Sequence, residues 1–208
     1  MFGATSWLLI GVLSAYAASS KGDKPMFDDY RKEIWGMNGN TPWSPLLPSQ
    51  GLAGIGADAN WTREGDAIIG GHKDGSAVLM FAENEWRDYE VDFQITVLEG
   101  ANVDVGVRHL GTKAYKFQFL LGWQAAAVSR FDSGGKIPLE RLSVVNHRLE
   151  RDREYHVQIA ARGSSITTYI DGSLVNQTTH SELTNGKCFF EVWQGKAKFR
   201  NIRYRRIS

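Results

Sequence analysis

Apolar and polar side chains alternate residue by residue over long parts of this chain, and that pattern commits it to strands. Tyr89, Val91, Phe93, Ile95 and Val97 are interleaved with Glu90, Asp92, Gln94 and Thr96. Successive side chains of an extended strand leave on opposite faces, so such a segment buries one face and turns the other outward. Val103, Val105 and Val107 repeat the pattern around Asp104, Gly106 and Arg108, and Tyr115, Phe117 and Phe119 repeat it around Lys116 and Gln118. Residues 155–161 and 166–170 add two more strands, and Asp171-Gly172 after the second reads as a tight hairpin turn. Shorter apolar runs at 67–69 and 77–81 read as two strands separated by a glycine-rich turn. Residues 190–192 and 197–204 read as another two. The mixed-sign stretch 147–154 reads as a solvated loop or a short helix. Strands at regular spacing, with no heptads and no internal repeat, predict an all-β sandwich or barrel.

The 208 residues suit one domain with a short leader. Residues 1–20 read as a secretion signal peptide. An apolar run at 7–13 is followed by Ala15-Tyr16-Ala17, a small-x-small cleavage pattern, although no Lys or Arg precedes Lys21. The run is far shorter than the roughly 20 residues a membrane-spanning helix needs. The expectation is a secreted or periplasmic protein with no integral membrane segment. Residues 21–50, with Trp35 and Trp43, read as an irregular arm tied onto the sandwich by its tryptophans, and 51–208 as the sandwich itself. Cys188 is the only cysteine and sits in an apolar run, so it reads as a small buried hydrophobe. The 24 basic and 23 acidic residues nearly cancel, which argues against a nucleic-acid partner. Oligomeric state is not legible.

Several chemistries lack their residues. There is no phosphate-binding glycine loop, no H-E-x-x-H or Cys/His cluster, and no G-x-S-x-G elbow. No metal or cofactor is expected. The paired-carboxylate E-x-D-x-E strand of jelly-roll glucanases is also missing: Glu90-Val91-Asp92 is followed by Gln94 where a second Glu would stand, and it reads as the solvent face of a strand.

Strand alternation leaves one candidate constellation. With Val103, Val105 and Val107 inward, Asp104 and Arg108 face outward together. Gln118 faces outward from a second strand, and Glu191 and Trp193 from a third. The three sets converge only if those strands lie side by side. Such a face suits a sugar: an indole covers the apolar face of a pyranose while Asp, Arg, Gln and Glu bond its hydroxyls. Trp123 offers a second stacking platform. The plainer alternative is that Asp104 and Arg108 form an exposed ion pair and Trp193 sits on a rim.

Residues 186–202, G-K-C-F-F-E-V-W-Q-G-K-A-K-F-R-N-I, resemble the closing motif of the 3-keto-disaccharide hydrolase domain family, with Phe199-Arg200-Asn201-Ile202 its most specific part. Residues 61–66, 102–108 and 155–172 are similar to three further family stretches, so the resemblance runs from about Trp35 to Ser208. It implies a concanavalin A-like jelly-roll β-sandwich of two antiparallel sheets, export from bacteria, and cleavage of glycosides oxidised at carbon 3. It also matches Arg108 to a family Arg. Departures fall on the site: Glu191 and Trp193 stand where the family motif has Gln and His, and Val103-Asp104 where it has Ser-Gly. Two readings follow. One is a glycoside-cleaving enzyme using Glu191 or Asp104 as acid and base, with Arg108 and Gln118 positioning the sugar or stabilising charge. The other is a non-catalytic carbohydrate-binding domain with Trp193 and Trp123 as platforms.

Overall fold

The computed structural model describes residues 41–46, 60–100, 102–136 and 138–207. The leader at 1–20, Trp35 and most of the arm lie outside the described residues. Twelve strands are described: β1 (Ser44–Pro45), β2 (Asn60–Glu64), β3 (Ala67–Trp86), β4 (Tyr89–Glu99), β5 (Asn102–Leu110), β6 (Lys113–Leu120), β7 (Ala125–Asp132), β8 (Leu139–Asn146), β9 (Glu154–Arg162), β10 (Ser165–Ile170), β11 (Ser173–Thr179) and β12 (Gly186–Arg206). A 3-10 turn, Leu121–Trp123, joins β6 to β7.

The strands form a jelly-roll sandwich of two antiparallel layers. Hydrogen bonding runs as one continuous path, because β3 and β12 are long enough to belong to both layers. The first half of β12 pairs with β5 on one side and the second half of β3 on the other, and β6, β7 and β8 follow β5. The second half of β12 pairs with β4, which leads on to β9, β10 and β11.

The sequence reading split β3 and β12 into two strands each; here each is one. Gly71, from the stretch expected to be a turn, and Gly195 of β12 instead let backbones meet closely where the layers join. A Cβ on Gly195 would meet the Glu99 carbonyl oxygen at 2.2 Å, and one on Gly71 would meet the Gly195 oxygen at 2.8 Å. Strand β12 shifts register at this crossing, where Gln194 takes a left-handed φ of 46°.

The inward alternation residues build the core. Phe190 of one layer stacks on Phe199 at a centroid distance of 4.4 Å and meets Phe93 of the other layer at 5.0 Å. Phe119 faces Tyr155 across the layers at 6.3 Å. Cys188 is fully buried here, and burial pushes its thiol up to about 12, so it is inert. The Asp171-Gly172 hairpin forms with both residues at positive φ, closing β10 onto β11. Residues 147–150 and 151–152 form a loop and turn with no helix; Gln124 holds it by bonding both the N–H and the carbonyl of Leu149.

Gly106 of β5 has a packing role. A Cβ there would lie 1.9 Å from the Phe189 ring, so its absence lets that ring lie across the strand. Gly106→Ala is expected to displace Phe189 and destabilise the domain by about 1–3 kcal/mol, read as a lower denaturant midpoint with unchanged slope.

Candidate functional site

The three strands that had to be neighbours are neighbours. Register places Glu191 opposite Asp104 and Asp104 opposite Gln118, so carboxylate, carboxylate and amide form one row across β12, β5 and β6. In the next row, Lys116 of β6 pairs with Ser129 of β7 and Ser129 with Arg141 of β8. All project from the outer face of this layer, opposite the Val103, Val105 and Phe117 face in the core.

Lys116 organises the row. Its Nζ donates to Glu191 Oε2 at 2.5 Å and lies 3.4 Å from Asp104 Oδ2. The same ammonium sits 4.1 Å from the centre of the Phe131 ring. The second oxygen of Glu191 accepts from the Ser76 hydroxyl. Gln118 donates through Nε2 to both Asp104 oxygens, at 3.2 and 3.3 Å, while its Oε1 accepts from Ser129 Oγ at 2.6 Å and Arg141 NH1 at 3.0 Å. Donors on one side and a carboxylate on the other leave the amide one orientation.

One cation between two carboxylates leaves a negative excess in a nearly dry setting. Asp104 is 8% exposed and Glu191 9%. Burial raises the Asp104 pKa most; Lys116 pulls it down, Glu191 pushes it up, and it settles at about 6. A carboxyl titrating there can exchange a proton with a bound ligand near neutral pH.

The tryptophans flank this floor. Trp193 follows the Glu191 row on β12 and is 46% exposed. Trp123, in the 3-10 turn after β6, is 63% exposed, and the Arg141 guanidinium lies 4.6 Å from its ring centre.

Arg108 is the correction. It was expected to face outward beside Asp104, yet it is 0% exposed and bonded inside the protein. Its backbone takes a left-handed φ of 54° next to a register shift in the β5–β6 pairing, which breaks the alternation that the expectation assumed. Its guanidinium donates to the carbonyls of Gly163 at 2.6 Å, Leu183 at 3.0 Å and Arg87 at 3.3 Å, and lies 3.6 Å from Asp88. No exposed Asp104–Arg108 ion pair exists either. Lys116 supplies the cation that Arg108 does not. Its place was legible, since it shares the outward parity of Gln118, two residues on. Arg141 was missed because its strand alternates weakly. Ser76 and Ser129 carry no signal until register brings them in.

Residues 24–205 match the family model of the 3-keto-alpha-glucoside-1,2-lyase-like domain. The chain belongs to that family. As a member it is a carbohydrate-active domain. No curated protein matches its sequence. Solved structures share its fold. The carbohydrate binding module CBM66 from Bacillus subtilis is 18% identical with a TM-score of 0.64, over 79% of this chain and 96% of that one. A protein of unknown function with a galectin-like fold, also from Bacillus subtilis, is 12% identical with a TM-score of 0.62, over 79% and 94%. A fructosyltransferase from A. japonicus is 13% identical with a TM-score of 0.50, over 73% of this chain and 27% of that one.

The stretches that carried the family resemblance turn out to hold one another. Arg200 of Phe199-Arg200-Asn201-Ile202 bonds Asp66 of the 61–66 stretch through Nε at 3.2 Å and NH2 at 3.1 Å. Trp61 of that stretch packs 6.0 Å from Phe199, and Arg108 reaches Gly163 in the 155–172 stretch. These contacts are scaffold, while Asp104 of the 102–108 stretch and Glu191 and Trp193 of the 186–202 stretch face the site.

Proposed function

We propose that the Asp104–Lys116–Glu191 face binds a sugar oxidised at carbon 3 and cleaves its glycosidic bond by elimination. Asp104 removes the proton on carbon 2, which the neighbouring ketone acidifies. The C2–H electron pair forms a double bond to carbon 1 by way of the enolate, the C1–O bond breaks, and a proton returns to the departing alcohol. Lys116 lies beside Asp104 as the cation facing the developing enolate charge, and Glu191 fixes its position. Gln118, oriented by Ser129 and Arg141, holds the base. Trp193 and Trp123 take the apolar faces of the sugar. The observation that carries this reading is the pair of nearly buried carboxylates, Asp104 and Glu191, held around the buried ammonium of Lys116. The apolar run at 7–13 is read as an export signal, so the substrate is met outside the cytoplasm.

A binding-only domain is the second reading. It is favoured by two exposed indoles flanking the floor, one of them at the position where the closing motif resembled at the C-terminus carries His. Incubation with an aryl 3-keto-glucoside separates the two. Elimination predicts aglycone release; saturable binding with no release overturns it in favour of the binding module. On either reading Trp193→Ala and Trp123→Ala each weaken sugar binding, by roughly two- to tenfold if an aromatic contact is worth about 0.5–1.5 kcal/mol, with melting temperatures unchanged.

A further inference from the structure

The other layer carries a polar cleft on its own outer face, away from Asp104 and Glu191. It has a volume of about 580 Å³ and is lined by Trp43, Gln94, His156, Asn201, Ile202 and Arg203, among others. Asp92 lies at its base with a side chain only 3% exposed. One carboxylate oxygen accepts from Arg203 Nε at 2.7 Å, and the other pairs with His156 Nε2 at 2.8 Å. Those partners hold Asp92 below the usual carboxylate range despite its burial, and Asp92 in turn raises the His156 pKa. A buried anion therefore fixes two cation-forming side chains side by side.

Both remain accessible beyond that anchor. The Arg203 side chain is 46% exposed and that of His156 40%. Among the described residues, the terminal guanidinium nitrogens of Arg203 donate no hydrogen bond and Nδ1 of His156 makes none. The floor beside them is an amide pair: Asn201, at a left-handed φ of 50°, donates through Nδ2 to Gln94 Oε1 at 2.6 Å. That bond uses neither N–H of the Gln94 amide nor the Asn201 Oδ1 acceptor. The indole of Trp43 forms the wall, its ring centre 5.0 Å from the Arg203 guanidinium and 4.1 Å from that of Arg205.

We propose that this cleft is a second ligand site, independent of the Asp104 face, and that it binds a sugar acid. A guanidinium fork and an imidazole suit a carboxylate. The adjacent amides suit ring hydroxyls, and Trp43 with Ile202 supplies an apolar wall for the ring carbons. Neither half alone explains the combination.

Titration of the full chain with glucuronate, followed by amide and indole NMR shifts, tests this. Shifts at the Trp43 indole and at the side-chain amides of Gln94 and Asn201, with Trp193 unmoved, are expected. Glucuronate should bind at least tenfold more tightly than glucose, its methyl ester or acetate. Arg203→Met should weaken it tenfold or more, while the Trp193 variant leaves it unchanged. Equal binding of the neutral sugars removes the role of the carboxylate, and equal binding of acetate removes that of the sugar; either result overturns the proposal. So do shifts confined to Trp193 and Gln118, a result that leaves the Asp104 site standing. The wild-type shifts decide the matter even if the Arg203 variant fails to fold.

Discussion

Arg108→Met is expected to unfold the domain or to lower its stability by about 3–5 kcal/mol, the cost of breaking a fully buried charged network. Methionine fills much of the volume but donates to nothing. The carbonyls of Gly163, Leu183 and Arg87 would lose their partner together, and Asp88 would lose its neighbouring charge. Those groups come from the β9–β10 turn, the segment before β12 and the β3–β4 turn, so one side chain ties three connections to β5. Chemical denaturation measures the loss directly. A variant that melts like wild type yet fails to turn over sugar would put Arg108 back in the site.

Asp104→Asn should behave in the opposite way, keeping the fold and losing the chemistry. The amide is nearly isosteric and still meets Lys116 and Gln118, but it cannot accept a proton. Removing a positioned base typically costs 10²–10⁴-fold in rate, so turnover of a 3-keto-glucoside should fall by that order with binding retained. In the wild type, turnover should rise with pH through about 6 as Asp104 ionises. The stability sign runs the other way. A carboxyl whose folded pKa lies above its unfolded value near 4 holds its proton more tightly when folded. Folding therefore weakens as pH rises from about 4 to about 6, by up to roughly 3 kcal/mol, and stays at that level above. Asp104→Asn should remove that pH dependence, which calorimetric melts across the window would detect. A flat turnover profile, or an unimpaired variant, would take Asp104 out of the mechanism.

Local alternation carried most of the architecture. Strands such as β4 and β5 announce both their extent and their inward face, because one residue of slip would expose every apolar side chain. Glu191, Asp104 and Gln118 came together as parity required. Alternation failed at Arg108, where a left-handed residue beside a register shift turns the side chain inward. It also misjudged Glu90 and Asp92. They do face away from the core, but both are buried, Asp92 against Arg203 and His156 and Glu90 against Arg205, so they are not a solvent face. Long-range facts stayed hidden: the bends that make β3 and β12 single strands depend on backbones meeting at Gly71 and Gly195, and Ser76 reaches Glu191 across 115 positions.

The position of hydrogen on carbon 2 tests the mechanism most directly. An aryl 3-keto-glucoside is turned over in D2O, and the released 3-keto sugar is read by NMR against an enzyme-free control. Elimination followed by addition of water predicts deuterium at carbon 2 with wild type, and no product above background with Asp104→Asn. Product that keeps its original hydrogen at carbon 2, or an Asp104→Asn variant that delivers deuterium at the wild-type rate, would contradict proton removal by Asp104.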